Sequence, residues 1–232
     1  MKVYFTVDME QDCPPYMSTF RGVEEGTQPL LDLLGEENVQ GTFFTTGNVA
    51  LRFPKTIEQI VAAGHELACH GHTHGSFASM DETTARGEIR DSAEALRPFA
   101  QIRSFRAPYL RFPAPYLPLL EEAGFAVDSS QAKYKLSYYT QSASTALERL
   151  PTSVTSSVLR LPPPIRDRWL RALSSPVVLF VHPWEFVDLT KTSLRWDCRF
   201  NTGKTALERL QSTLRLFKGA NGTFSTVGEL AR

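Results

Sequence analysis

What most constrains this chain is the regular alternation of short β-rich runs with longer helical stretches along its length. Lys2 to Val7 reads as a strand. Gln28 to Glu37 reads as a helix, because Leu30, Leu31, Leu33 and Leu34 form one apolar face. Gly41 to Thr46 predicts a second strand, and Pro54 to Ala63 a helix with Ile57, Ile60 and Val61 at helical spacing, stopped by Gly64. A third strand ends near Cys69, Asp81 opens a helix that runs to Leu96, and Arg103 to Phe105 is a short strand. A helix at Ala114 to Ala123 and a strand at Phe125 to Val127 follow. Between Gln131 and Ser175, Pro151, Pro162, Pro163 and Pro164 interrupt the pattern; one strand at Leu147 to Leu150 and a helix at Ile165 to Leu173 are expected there. Pro176 to Val181 is an apolar run suited to a strand covered on both faces, Thr205 to Phe217 is an amphipathic helix, and Thr223 to Ser225 with a last helical turn closes the chain. Unbroken β-then-α units predict a parallel sheet, either open and doubly wound or closed into a barrel of about seven or eight strands.

Composition narrows the possible partners. The 232 residues carry 25 Lys+Arg against 25 Asp+Glu, a net charge of zero with no basic cluster, so a nucleic-acid partner is not expected. Cys13, Cys69 and Cys198 form no Cys-x-x-Cys pair, which points to a reducing compartment. The first residues reach Asp8 too soon for an export signal, and the apolar run Val177 to Val181 is far short of the roughly 20 residues of a membrane span. The expectation is one cytoplasmic domain over residues 1–232.

In parallel α/β folds, chemistry gathers where the strands end. The polar residues behind the predicted strands are Asp8, Glu10 and Asp12; His70, His72 and His74; Arg106 to Tyr109; Asp128 to Ser130; and His182 to Glu185. Taken singly, each has an ordinary structural reading, such as a helix cap, a surface histidine or a core arginine. Five in succession do not fit accident. Two imidazoles and a carboxylate suit Zn²⁺ or another divalent first-row ion, and His70 and His74 supply the imidazoles. Asp8 and Glu10 fall on one face of an extended strand end, so one can hold metal while the other serves as base. His182 is placed as an acid for the leaving group.

In order along the chain, Thr6-Val7-Asp8-Met9-Glu10, the run Gly64 to His74, Arg106-Ala107-Pro108-Tyr109, Asp128-Ser129-Ser130 and Leu179-Phe180-Val181-His182-Pro183 resemble the five motifs of the polysaccharide deacetylase family, the carbohydrate esterases with a NodB-homology domain. The resemblance implies a distorted (β/α) barrel of about seven parallel strands and metal-dependent hydrolysis of an N-acyl amino sugar. It implies Asp8 as base, His70 and His74 as ligands, Arg106 as the group that holds the base, and His182 as acid. The third ligand is Glu10 or Asp12, with Glu10 favoured by the two-residue spacing from the base. Zn is the expected ion, with Co, Ni or Mn as other choices. Gly71 stands where the family carries Ser or Thr, which leaves a supporting hydrogen bond to be absent or supplied by Thr73.

Asp128 is expected to be the carboxylate that raises His182, while Tyr109, Trp184 and Trp196 are candidates for stacking on a sugar. Thr19 to Gly26, with the leucines and the Gly41 strand behind them, is similar to the deformylases of the same superfamily that act on polyprenyl-phosphate-linked aminosugars. Arg166, Arg168 and Arg171 around Trp169 and Leu170 could dock such a lipid at a membrane surface; the plainer reading is a solvated basic helix face. Allantoinase-like ring amidohydrolysis and a non-catalytic sugar-binding module are the other readings. Intact His70 and His74 weigh against a metal-free member of the first, and the Asp8 and His182 pair against the second.

Overall fold

The structure, a computed structural model, describes residues 1–140 and 144–231. Its strands are β1 (Lys2–Met9), β2 (Thr42–Thr45), β3 (Glu66–Cys69), β4 (Ser104–Phe105), β5 (Val127–Asp128), β6 (Glu148–Arg149), β7 (Val177–Val181) and β8 (Thr223–Ser225). They pair in the order β6-β5-β4-β3-β2-β1-β7, all parallel, and β8 joins β1 below β2. The seven-strand path curls towards closure: past β6, the Ser153 amide donates to the Val178 carbonyl of β7 at 2.9 Å. This is the distorted (β/α) barrel the motifs imply.

The period-2 alternation of the strands divides the two faces. On β1, Val3, Phe5, Val7 and Met9 join the main core under the helices, while Tyr4 packs inside the curl with Phe44, Ala68, Val127, Leu150, Val178 and Val227. Val227 belongs to a short C-terminal turn (Val227–Leu230) that plugs the bottom of the barrel. Its amides donate to Thr42 and Glu66, and Glu66 also accepts the hydroxyls of Thr42 and Ser104. Thr42, Glu66 and Ser104, buried or half-buried at the lower end, are thereby paired, as burial requires.

Helices cover the outer face at Thr27–Glu36, Pro54–Ala62, Glu82–Leu96 and Lys204–Gly219, close to the expected bounds. Asp81 caps its helix through the Thr84 amide, and Gly64 stops the preceding one at φ +82, a conformation that strains any other residue. Several elements differ from expectation, among them short helices at Leu136–Thr140, Ser156–Leu159 and Trp196–Arg199. A short helix, Gly47–Arg52, follows β2 directly, capped by Thr46. The helix expected from Ile165 begins at Pro163: Pro163 and Pro164 occupy its first turn, where a missing N–H costs nothing.

The register aligns the upper strand ends in a row, with Met9 opposite Thr45, Thr45 opposite Cys69, Cys69 opposite Phe105 and Phe105 opposite Asp128. Residues just beyond these positions therefore share one rim. Below them, Phe44 fills the barrel interior as a fully buried ring. Phe44→Ala should lower the unfolding free energy by ~3–5 kcal/mol in urea denaturation, the usual cost of removing a buried aromatic; a loss under about 1 kcal/mol would mean that the curl is not a packed interior.

Candidate active site

The rim opens into a cavity of about 380 Å³ whose lining includes Asp8, Glu10, His70, His74, Tyr109, His182 and Trp184. At its centre, the Glu10 Oε2 oxygen lies 2.5 Å from His74 Nε2 and 3.2 Å from His70 Nε2. His70 Nδ1 sits 2.7 Å from the Arg106 carbonyl, which can only accept, so that nitrogen carries the proton in the neutral ring and Nε2 presents a lone pair to Glu10. A lone pair facing a carboxylate in a buried site is an arrangement a cation resolves, and the three side chains fit a divalent ion on that ground. Burial acts to raise the Glu10 carboxyl, but the surrounding His74, His182 and His70 imidazoles outweigh it and hold it well below the carboxylate range.

Asp12, the alternative third ligand, is turned away. It accepts the Thr19 hydroxyl at 2.6 Å and the Arg21 and Gly22 amides at 2.8 Å, which folds the loop between β1 and the first helix. The histidine loop is held from behind by Glu88, which accepts the His72 amide and both the amide and hydroxyl of Thr73. Thr73 therefore does not supply the hydrogen bond to a ligand; the Arg106 carbonyl does. Gly71 has φ +75, which explains why neither Ser nor Thr stands there.

Arg106 extends from the end of β4 into the barrel and is completely buried. Its Nη1 bonds Asp8 Oδ1 at 2.6 Å and Thr6 Oγ1 at 2.8 Å, its Nη2 bonds Ser129 Oγ at 2.9 Å, and its guanidinium lies 4.1 Å from the Phe44 ring centre. Asp8 is thus held as the sequence reading implied, with its other oxygen left to the cavity wall.

His182 has a different partner from the one expected. Its Nδ1 donates to Glu185 Oε1 at 2.8 Å, and its Nε2 points into the site, 3.7 Å from Glu10 Oε1. Burial acts to lower this imidazole, but Glu10 and Glu185 outweigh it and push it up to about 9. Asp128 lies elsewhere on the rim, bonded to Ser130 and paired with Arg149 at 2.8 Å. Burial raises its carboxyl against the pull of Arg149. Glu185 stands in the same His-Pro-Trp-Glu cluster, but spacing alone does not tell which of two carboxylates turns towards the ring.

The aromatic candidates divide. Tyr109, at φ +60, sets its ring edge-on to His74 at 4.8 Å and is 42% exposed at the mouth. Trp184 is buried, and one face of its indole is stacked on His182 at 4.9 Å. Trp196 lies outside the lining, stacked on Phe200 at 4.2 Å. Arg166 is not part of a solvated face: it is fully buried, paired with Asp167 and donating to the Arg209 carbonyl at 2.8 Å, while Arg168, Trp169 and Arg171 are exposed. Cys13 and Cys198 meet at the cavity wall, and burial together with the Cys198 neighbour pushes the Cys13 thiol up.

A parallel barrel with a carboxylate–imidazole cluster at the strand ends defines the class of protein. The polysaccharide deacetylase model matches residues 2–127, more than half of the chain, and the chain belongs to that family. It is 36% identical over 86 residues to the chitooligosaccharide deacetylase of Sinorhizobium fredii, a stretch that covers 36% of this chain and 40% of that one. A Mycobacterium smegmatis structure assigned to the polysaccharide deacetylases superposes with a TM-score of 0.73 at 26% identity, covering 99% of this chain and 88% of the other. A family 4 carbohydrate esterase pseudoenzyme from Bacillus anthracis has a TM-score of 0.68 at 14% identity, covering 100% and 65%. The chain spans less than half the length of the first curated relatives it matches.

Elemental analysis of purified variants checks the donor set. Glu10→Ala, His70→Ala and His74→Ala should each lose a bound divalent metal, whereas Asp12→Asn should keep it; retention in both histidine variants would contradict the assignment.

Proposed function

We propose that this protein hydrolyses the N-acetyl group of an amino sugar within a glycan, using a divalent metal, Zn by preference, held by Glu10, His70 and His74. The observation that carries the reading is the convergence in one cavity of that donor set, a carboxylate held by a buried guanidinium and a carboxylate-backed imidazole. Family membership and the chitooligosaccharide deacetylase relative support the substrate class.

Bound there, the ion would supply Lewis-acid polarisation of the acyl carbonyl and acidify a water. Asp8 takes the proton of the attacking water, and Arg106 keeps its carboxylate aimed. His182, with Nδ1 committed to Glu185, delivers a proton from Nε2 to the leaving amine nitrogen. Carbonyl carbon–nitrogen cleavage then yields acetate and a free amine. Tyr109 at the mouth offers a ring face to the sugar.

The alternatives fit the site less well. A non-catalytic module has no use for Asp8 and His182 on either side of a donor cluster, and a metal-free ring amidohydrolase has no use for the cluster. Docking of a lipid phosphate loses Arg166, which is buried and paired. No helix among the described residues is long and apolar enough to cross a membrane.

Kinetics with N-acetylglucosamine oligomers test the reading. Asp8→Asn and His182→Ala should each lower kcat by roughly 10²- to 10⁴-fold with metal content retained, the usual contribution of a general base or acid. Native rates in both variants would reject the mechanism.

A further inference from the structure

Arg160, which no motif includes, makes contacts that no purely packing residue needs. It is 2% exposed and reaches four groups. Its Nε lies 2.8 Å from Glu185 Oε2 as an ion pair whose N–H is not aligned for a hydrogen bond. Its Nη2 donates to the Asp197 carbonyl at 2.7 Å, and its Nη1 donates to the carbonyls of Phe200 at 2.8 Å and Cys198 at 3.2 Å. The guanidinium also lies 4.7 Å from the Phe200 ring and 5.7 Å from Trp184, the indole on which His182 is stacked. Asp197 and Cys198 form part of the cavity wall, and His182 with Trp184 forms another part.

We infer that Arg160 is a positioning residue that couples the 197–200 wall of the cavity to the orientation of His182 through Glu185. This rests on the deacetylase reading for its consequence in turnover, but not for the coupling itself. The argument is one of shared donors. Glu185 fixes the His182 ring by accepting Nδ1–H at 2.8 Å and the His182 amide at 3.0 Å through the same Oε1. Its other oxygen faces Arg160, and with burial opposing it, Arg160 is foremost among the groups that hold this carboxyl below its ordinary range. A buried carboxylate stripped of its cation would be uncompensated and would shift, taking the ring with it. The same cation is tied to three wall carbonyls, so the ring is aimed only when the wall is seated against Arg160. The device is not a relay of protons; it fixes which nitrogen of His182 faces the sugar and from what direction.

The test has two arms. In the first, kcat on an N-acetylglucosamine oligomer is measured for Arg160→Lys, His182→Ala and the double variant. Arg160→Lys should cost roughly 10- to 100-fold in the native background and less than about 2-fold in the His182→Ala background, since residues acting as a unit are not additive. An equal cost in both backgrounds would mean that Arg160 only holds the wall, and would overturn the inference. The second arm needs no turnover, so it separates failure of this inference from failure of the deacetylase reading. The downfield proton resonance of His182 Nδ1–H, assigned by its loss in His182→Ala, should shift or broaden in Arg160→Lys. It should move likewise in Phe200→Ala, which removes the ring under the guanidinium and serves if Arg160→Lys does not fold. An unchanged resonance in a folded variant overturns the coupling.

Discussion

The structure depends on a single buried guanidinium. Arg106 leaves a two-residue strand, a piece of sheet too short to hold its own register, and ties it to three others. Its Nη groups reach Thr6 and Asp8 at the end of β1 and Ser129 beyond β5, and its carbonyl fixes the His70 ring beyond β3. Such a charge is costly to bury unless it is paired and bonded on most of its protons, and the inner residues of the barrel mouth are chosen to do that. The aromatic floor below, Phe44, gives the cation a π face in place of water. The His182 side is organised in the same way, with a second buried arginine behind Glu185, so the Asp8 carboxylate and, through Glu185, the His182 ring each have a buried cation behind them.

Much of the fold was legible in the sequence because its signals are long. The outward series Val3, Phe5, Val7 and Met9 on β1 and the unbroken apolar run of β7 can be strands only, and the leucine stripes of the first and last long helices have a single inward face. Even the short strands were legible: β4, β5 and β6 lie within or overlap the runs expected for them, although each contains only two residues and β6, Glu148–Arg149, is half exposed at the edge of the path. What was not legible has physical reasons. The helix Gly47–Arg52 begins on a glycine and is held by tertiary contacts: its first amides donate to the Gly71 and His72 carbonyls, which no local propensity reveals.

The candidate site was legible as a set of strand-end clusters and illegible as a set of pairings. Asp8, Glu10, His70, His74 and His182 line one cavity, Arg106 lies buried behind Asp8, and it is Glu10, two residues after Asp8, rather than Asp12 that neighbours the imidazoles. Which carboxylate serves His182 depends on a turn of 3₁₀ helix that folds Glu185 back onto its own cluster, while Asp128 is drawn to Arg149. Arg160 stands in the segment whose pattern the prolines obscure, and nothing in its sequence neighbours marks it as part of a site. Trp184 shows the same limit: an aromatic beside a reactive histidine can serve the sugar or the histidine, and only packing decides.

We propose that Arg106 organises the Asp8 carboxylate without itself taking part in the chemistry, and Arg106→Lys tests this most directly. A lysine keeps the charge and the backbone carbonyl that holds His70 but cannot bond Asp8, Thr6 and Ser129 at once. Measured together on one preparation, metal content should stay near the native value while kcat on an N-acetylglucosamine oligomer falls by roughly 10-fold or more. Native turnover in a folded, metal-replete Arg106→Lys protein would contradict the account.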